Sequence, residues 1–255
     1  MKHGDFTALA DNYAKYRPAY APFVRDVFLG VAKKRDGALR GADIGAGTGI
    51  WTRMLAERGV EMTAVEPNEA MRIEGMKQNG KLDIVWQAGS AEDTGLPSAR
   101  YDLASMASSF HWPDFDKAVT EFRRILKPRG LFLALWNTRD YESNPLLVRI
   151  EEKLKELVPN MKRVSSGRSE FCENLRKRLL CCGAFEDVLY IEGHHVELQT
   201  PEHYIGLWNS VNDVRVQAGE KRFQKFIDYI RMQTSGIEHI EAEYKTRAWL
   251  ARSAG

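Results

Sequence analysis

Ala42-Asp43-Ile44-Gly45-Ala46-Gly47-Thr48-Gly49 is the stretch that decides the fold. An apolar run beginning at Leu39 leads into it, and Trp51, Met54 and Leu55 follow it at helical spacing, so a strand ends in a glycine turn and the chain re-enters as a helix. Glycines there let the backbone turn tightly and approach a ligand without Cβ obstruction, and the helix start offers unpaired N–H groups. The spacing is Gly-x-Gly-x-Gly. A dinucleotide-binding turn wants its third glycine at position 50, where Ile50 stands.

Moving outward, short apolar runs alternate with helical periodicity, the pattern of βα units in a parallel sheet covered on both faces. The strands read at 39–44, 61–65, 82–86, 101–106 and 131–136. Phe115, Val119, Phe122, Ile125 and Leu126 share one helical face, a core-facing helix, and Lys127-Pro128-Arg129-Gly130 turns the chain into the fifth strand. Beyond Asn137 the reading is a helix over 145–158, a polar loop over 159–169, a helix over 171–182 and a strand over 185–198. Two helices between Pro201 and Gln233 and a last strand over 237–250 complete it. The first 36 residues read as helical, broken by Pro18 and Pro22. The expectation is one domain over 1–255: a helical lid (1–36), a ligand-binding core (38–137), then helical insertions and closing strands (138–255).

With 44% hydrophobic and 28% charged residues, the composition excludes collagenous, disordered and disulfide-scaffold classes. The balance of 37 Lys+Arg against 35 Asp+Glu lacks the basic field of nucleic-acid binders. Cys172, Cys181 and Cys182 form no C-x-x-C pair, which points to reduced thiols and no metal site. No apolar stretch reaches the roughly 18 residues of a membrane span. A cytoplasmic protein without membrane or nucleic-acid partner is expected.

After the second strand comes Glu66, in Val65-Glu66-Pro67-Asn68. A carboxylate there can accept two hydrogen bonds from a ribose diol. Together with the glycine turn, Ala88-Gly89-Ser90-Ala91-Glu92, Ser108-Ser109-Phe110-His111-Trp112 and Leu126-Lys127-Pro128-Arg129-Gly130, the segment 42–136 resembles class I S-adenosylmethionine (SAM) dependent methyltransferases. The small-molecule branch with trans-aconitate and quinone-pathway C-methyltransferases is the most similar. The resemblance implies an α/β, Rossmann-like, mostly parallel seven-stranded sheet with helical cap insertions, and SAM as cofactor. It implies that Gly45, Ala46, Gly47 and Gly49 shape the turn under the amino-acid part of SAM, that Asp43 orients its ammonium, and that Glu66 and Pro67 lie at the ribose. Met71, Ser90, Ala91 and Glu92 then surround the adenine. Phe6, Tyr13, Tyr16, Arg17-Pro18 and Tyr20 resemble the cap of the trans-aconitate group, with Arg17 pairing the methionine carboxylate and Tyr13 closing the pocket.

Methyl transfer from a sulfonium is an in-line displacement whose acceleration comes from positioning and water exclusion. Tyr13, Phe110, Trp112 and Trp136 are candidates to line a dry acceptor pocket, with ordinary core packing as the alternative for each. His111, after the fourth strand at the sheet's carboxyl edge, is the candidate catalytic base, with a packing role as its alternative. The fourth-strand exit lacks the Asn/Asp-Pro-Pro-Tyr/Phe tetrad of amino-methylating enzymes acting on DNA bases or glutamine, which favours a small molecule as acceptor, methylated at a carboxylate or hydroxyl oxygen or a heterocyclic nitrogen. The helices over 145–182 and 201–233 are expected to fold over it, with Arg139, Lys162, Arg163 and Arg168 as basic groups that could attract a carboxylate. A monomer or homodimer is expected. Two other classes stay open: a non-catalytic nucleoside-binding protein of the same fold, and a nicotinamide oxidoreductase, disfavoured by Ile50 and the absence of a Tyr-x-x-x-Lys pair.

Overall fold

The structure is a computed structural model that describes residues 6–32, 37–162 and 167–254. Strands β1 (Arg40–Ile44), β2 (Glu61–Val65), β3 (Ile84–Gln87), β4 (Tyr101–Ala107), β5 (Leu126–Asp140), β6 (Phe185–Gln199) and β7 (Ile240–Ser253) form one sheet in the order β3-β2-β1-β4-β5-β7-β6. β3 through β5 run parallel, and β7 lies antiparallel to both β5 and β6. From β1 the chain winds out to β3, then crosses back to place β4 on β1's other side. That reversal opens a crevice at the carboxyl ends of β1 and β4, where open α/β sheets bind ligands.

Helices α1 (Ala10–Tyr16), α2 (Pro22–Val31), α3 (Ile50–Ala56), α4 (Glu69–Gln78), α5 (Phe115–Ile125), α6 (Pro145–Leu157), α7 (Glu170–Cys181), α8 (Pro201–Asn209) and α9 (Asn212–Gln233) complete the described elements, after a 3-10 turn over Thr7–Leu9. Side-chain alternation along the strands splits the sheet's apolar residues between two layers. Ala42, Ile44, Ala104, Phe132 and Ala134 pack with α5 and α7, while Met62, Leu103, Leu131, Leu133 and Leu135 pack with α2 and α3. A third cluster, including Leu147, Ile150, Tyr204, Trp208, Phe226 and Ile230, lies between α6, α8 and α9 and forms the cap.

Several boundaries differ from the sequence reading. Pro22 opens α2 at its first turn instead of breaking a helix, because its missing N–H would be unpaired there anyway. The third strand begins at Ile84 and the last at Ile240. The fifth strand starts at Leu126. Pairing jumps from Tyr101 opposite Leu126 to Leu103 opposite Leu131, so the Lys127–Gly130 turn is an excursion within one long strand, with Arg129 at φ 61°. α7 was expected over the acceptor; instead Cys172, Leu175 and Leu179 are buried with Phe185 against the sheet. No helix among the described residues is long and apolar enough to cross a membrane.

Candidate functional site

The glycine turn is held by its own amides. Gly45 and Ala46 N–H both donate to the Val65 carbonyl (2.8 and 3.1 Å), Gly49 N–H donates to the Ala46 carbonyl (2.9 Å), and Gly47 N–H donates to Glu66 Oε2 (2.8 Å). Gly45 and Gly47 sit at φ 65° and 58°, and a Cβ on Gly45 would stand 2.9 Å from Ser109 Oγ. The turn therefore needs glycine twice over, for its left-handed backbone and for clearance. Four amides that could cradle a pyrophosphate are already spent, and Gly45 and Gly47 line the cleft without a Cβ.

Glu66 is the second fixed point. Its other oxygen accepts Asn68 N–H at 2.8 Å, and Asn68 caps α4 by accepting Met71 N–H at 3.1 Å. Burial raises the Glu66 pKa against the pull of these two amides and of Arg72. Each carboxylate oxygen still has a lone pair to offer. Under the turn, Asp43 is fully buried and accepts hydroxyl hydrogens from Thr52 (2.6 Å) and Ser105 (3.0 Å). Burial pushes its pKa up to about 7 despite those bonds.

These groups bound a cleft of about 280 Å³. Gly45, Gly47, Glu66, Pro67 and Met71, from the ends of β1 and β2 and from α4, line it together with Ser90, Ala91, Glu92 and Trp112 from the loops after β3 and β4 and with Phe6 and Tyr13 from the N-terminal segment. The N-terminal segment is latched to the rim by Asn68 Nδ2 donating to Thr7 Oγ1 at 3.0 Å and by the edge-on packing of Phe6 against Tyr13. A second cavity of about 320 Å³ shares Tyr13 and Ser108 with the first, so the two meet at a common wall. Ser108 has φ 55°, unusual for a residue with a side chain, and its Oγ is 3.0 Å from Tyr20 Oη. Burial raises the Tyr20 pKa, which keeps that hydroxyl protonated.

Seven of the sequence candidates lie away from the cleft. Asp43 is sealed beneath the turn, because a carboxylate at the end of a central strand is surrounded by sheet on both sides. Ala46 and Gly49 shape the turn from behind: a Cβ on Gly49 would meet Asn79 Nδ2 at 2.8 Å and Trp86 at 2.9 Å. Arg17 faces the second cavity, with its guanidinium 4.7 Å from the Tyr13 ring centre and Nη2 donating to the Ser210 carbonyl at 3.0 Å. Phe110 is wholly buried among Phe115, Phe122, Phe132 and Phe171, and Trp136 packs on Phe171 and Trp249. His111 accepts Trp136 Nε1–H through Nδ1 at 3.3 Å and lines neither cavity; burial depresses its pKa to about 4. The aromatic run after β4 turns into the core, leaving Trp112 as the member that reaches the cleft. Of the basic groups, Arg139 and Arg168 line the second cavity, Lys162 is exposed outside it, and Arg163 lies outside the described residues.

Sequence reasoning missed Thr52 and Ser105, which hold Asp43, and Asn68. Asn68 had a signal, an Asn directly before Glu69 at a helix start. The hydroxyl pair had none, because its members come from different elements.

Residues 42–134 match the methyltransferase domain family. An uncharacterized methyltransferase of Mycobacterium tuberculosis is 34% identical over 143 residues, 53% of each protein. The chain thus spans about half the length of the curated relatives it matches. A candidate type II methyltransferase of Anaeromyxobacter dehalogenans has a similar structure, with TM-score 0.67 at 21% identity over 93% of this chain and 98% of that one. The [4+2]-cyclase SpnF shares the fold at TM-score 0.58 and 13% identity, over 98% of this chain and 93% of that one. The matched methyltransferase segment contains the glycine turn, Glu66, the Ser90–Glu92 loop and Trp112, most of one cavity's wall.

Proposed function

We propose that this protein is a SAM-dependent methyltransferase, with the glycine-turn cleft holding the cofactor and the adjoining cavity holding a small-molecule acceptor. The observation that carries the reading is the turn itself: the amides of Gly45, Ala46, Gly47 and Gly49 are bonded within the protein, two of its glycines line the cleft without a Cβ, and Glu66 stands beside it. That arrangement suits an adenosyl amino acid and offers little to a pyrophosphate. When bound, SAM supplies an electrophilic methyl on a sulfonium. Glu66 is placed for the ribose hydroxyls, and Met71 and Ala91 for the adenine. Ser90 donates its amide to the Asp93 carbonyl and Glu92 accepts Asp114 N–H, both at 3.0 Å, so Ala91 is the better backbone partner for the base. Arg17, for which the resemblance implies the methionine carboxylate, lines the second cavity and not the cleft, so this reading gives it no part in holding the cofactor.

The protein's part is positioning. Tyr13 and Ser108, on the common wall, set the line between the two cavities, and Phe6 and Tyr13 exclude water. His111 stays a core residue in this reading, since it reaches neither cavity. Membership in the branch resembling trans-aconitate methyltransferases, and a cytoplasmic location, belong to the same proposal.

Calorimetric titration tests it. S-adenosylhomocysteine is expected to bind and raise the Tm, NAD to do neither; the reverse result removes the proposal. The second reading is a non-catalytic nucleoside-binding protein of the same fold; the fold shared with a protein named a [4+2]-cyclase bears on it because the architecture by itself does not fix methyl transfer. Tight binding of S-adenosylhomocysteine with no methyl leaving labelled SAM across a broad acceptor panel would select that one.

A further inference from the structure

Three buried polar atoms without a partner among the described residues converge on the second cavity: Arg17 Nε, Thr138 Oγ1 and Arg139 Nε. The residues lining the cofactor cleft contribute none. Buried donors are normally satisfied, so three of them around one empty space mark a place where a ligand completes the bonding.

Arg139 is the most constrained. Its guanidinium carbon lies 4.5 Å from the Trp208 ring centre and 5.1 Å from that of Tyr204, Nη1 donates to Tyr204 Oη at 3.2 Å, and Nη1 lies 3.6 Å from Glu151 Oε1. Burial works against its charge, yet Tyr204, Tyr244 and Glu151 outweigh it and raise the pKa. The chain thus keeps a permanent cation in a dry wall, oriented from α6, α8 and β7, with one N–H unpaired.

The charges around the cavity favour an anion. Arg17, Arg139, Lys155 and Arg168 line it, against Glu151 and Asp213. Both carboxylates already have partners in the protein. Arg168 is paired to Asp140 (3.4 Å) and Glu142 (3.0 Å), whereas neither Arg17 nor Lys155 has a carboxylate partner among the described residues. A cationic acceptor would meet unpaired cations and committed carboxylates; an oxyanion meets the opposite.

We infer that the second cavity selects a small acceptor bearing an oxyanion, a carboxylate or a phosphate, bound by Arg139 with Thr138 as a neutral donor. This rests on the proposed function and narrows its acceptor class.

The test uses the full chain saturated with S-adenosylhomocysteine and titrated calorimetrically with butyrate, glutarate, inorganic phosphate and glycerol 3-phosphate, alongside butyramide, glutaramide and butylamine. At least one anion is expected to bind, ten-fold or more tightly than its neutral counterpart, and the carboxylate and phosphate arms identify the group. Arg139→Gln is expected to weaken that anion at least ten-fold with S-adenosylhomocysteine affinity unchanged, and Arg139→Lys to recover part of the loss. Should Arg139→Gln fail to fold, Thr138→Val is expected to weaken the same anion about three-fold. Amides or amine binding as well as the anions, no anion binding, or anion affinity indifferent to both substitutions overturns the inference. Failure of S-adenosylhomocysteine itself to bind strikes the proposed function instead, so the two failures are distinguishable.

Discussion

The glycine-turn cleft, proposed above for the cofactor, and the cavity behind it differ in how they are built. All but Phe6 and Tyr13 of the cleft's wall come from 45–113, and none of that wall's residues holds a buried side-chain polar atom without a partner among the described residues. The cavity draws its wall from Tyr13, Tyr20, Ser108, Arg139, Glu151, Asp213 and Tyr244, and leaves three buried atoms without partners among the described residues. A site that recognises an invariant ligand can be written into consecutive loops at the ends of adjacent strands. In the proposed reading, one that sets acceptor choice is assembled by the cap, and the donors left unpaired among the described residues remain for the acceptor. Mutations should separate the two.

The largest effect is expected at the turn. Gly45→Val forces a β-branched side chain into a left-handed conformation and against Ser109, costing roughly 3 kcal/mol, and should abolish S-adenosylhomocysteine binding by calorimetry. Binding within three-fold of wild type would show that the turn does not contact the cofactor. Glu66→Ala comes next: it strips Gly47 and Asn68 amides of their acceptor, about 1–3 kcal/mol each if they stay buried. Cofactor affinity should fall at least ten-fold, with anion binding in the second cavity altered less.

Two buried groups behind the cleft should give opposite pH signatures. Asp43 has a pKa of about 7 in the folded state, above its unfolded value, so its contribution to stability is fully present below the unfolded pKa and is lost as pH rises from about 4 through 7. Asp43→Asn should remove a difference of roughly 2–4 kcal/mol between pH 5 and pH 8 in denaturant unfolding. His111, held near 4, stabilises above its unfolded pKa and loses that contribution as pH falls from about 6.5 through 4. His111→Gln should flatten that acid limb and lose about 1 kcal/mol from the Trp136 bond. Cofactor affinity and the neutral limb of a rate profile should be unmoved, and a lost limb near neutrality would return His111 to the chemistry. The smallest effect is Trp112→Phe: with the ring 42% exposed at the cleft's edge, a two- to three-fold weaker cofactor and unchanged stability are expected.

Legibility in the sequence followed locality. β1 and β2, α5 and the glycine turn were readable because a strand's period, an apolar helical face and a Gly-x-Gly-x-Gly spacing are statements about near neighbours. Phe110 and Trp136, open in sequence to a pocket wall or to core, lie in the core, and an aromatic side chain looks the same in sequence whether it faces a ligand or Phe132 and Trp249. Pro22 reads in sequence as a break, and its position makes it a helix start.

The sequence by itself determined the βα alternation, the need for glycine at 45 and 47 and an acid at 66, because backbone conformation and strand-end placement are set within a few residues. Only the tertiary structure decided that Asp43 is sealed beneath the turn, that His111 is locked to Trp136, and that Arg139 from β5 meets Glu151 from α6 and Tyr204 from α8. Burial and electrostatic partnership are properties of surroundings drawn from distant parts of the chain, and those exist only once the sheet and its cap have closed on one another.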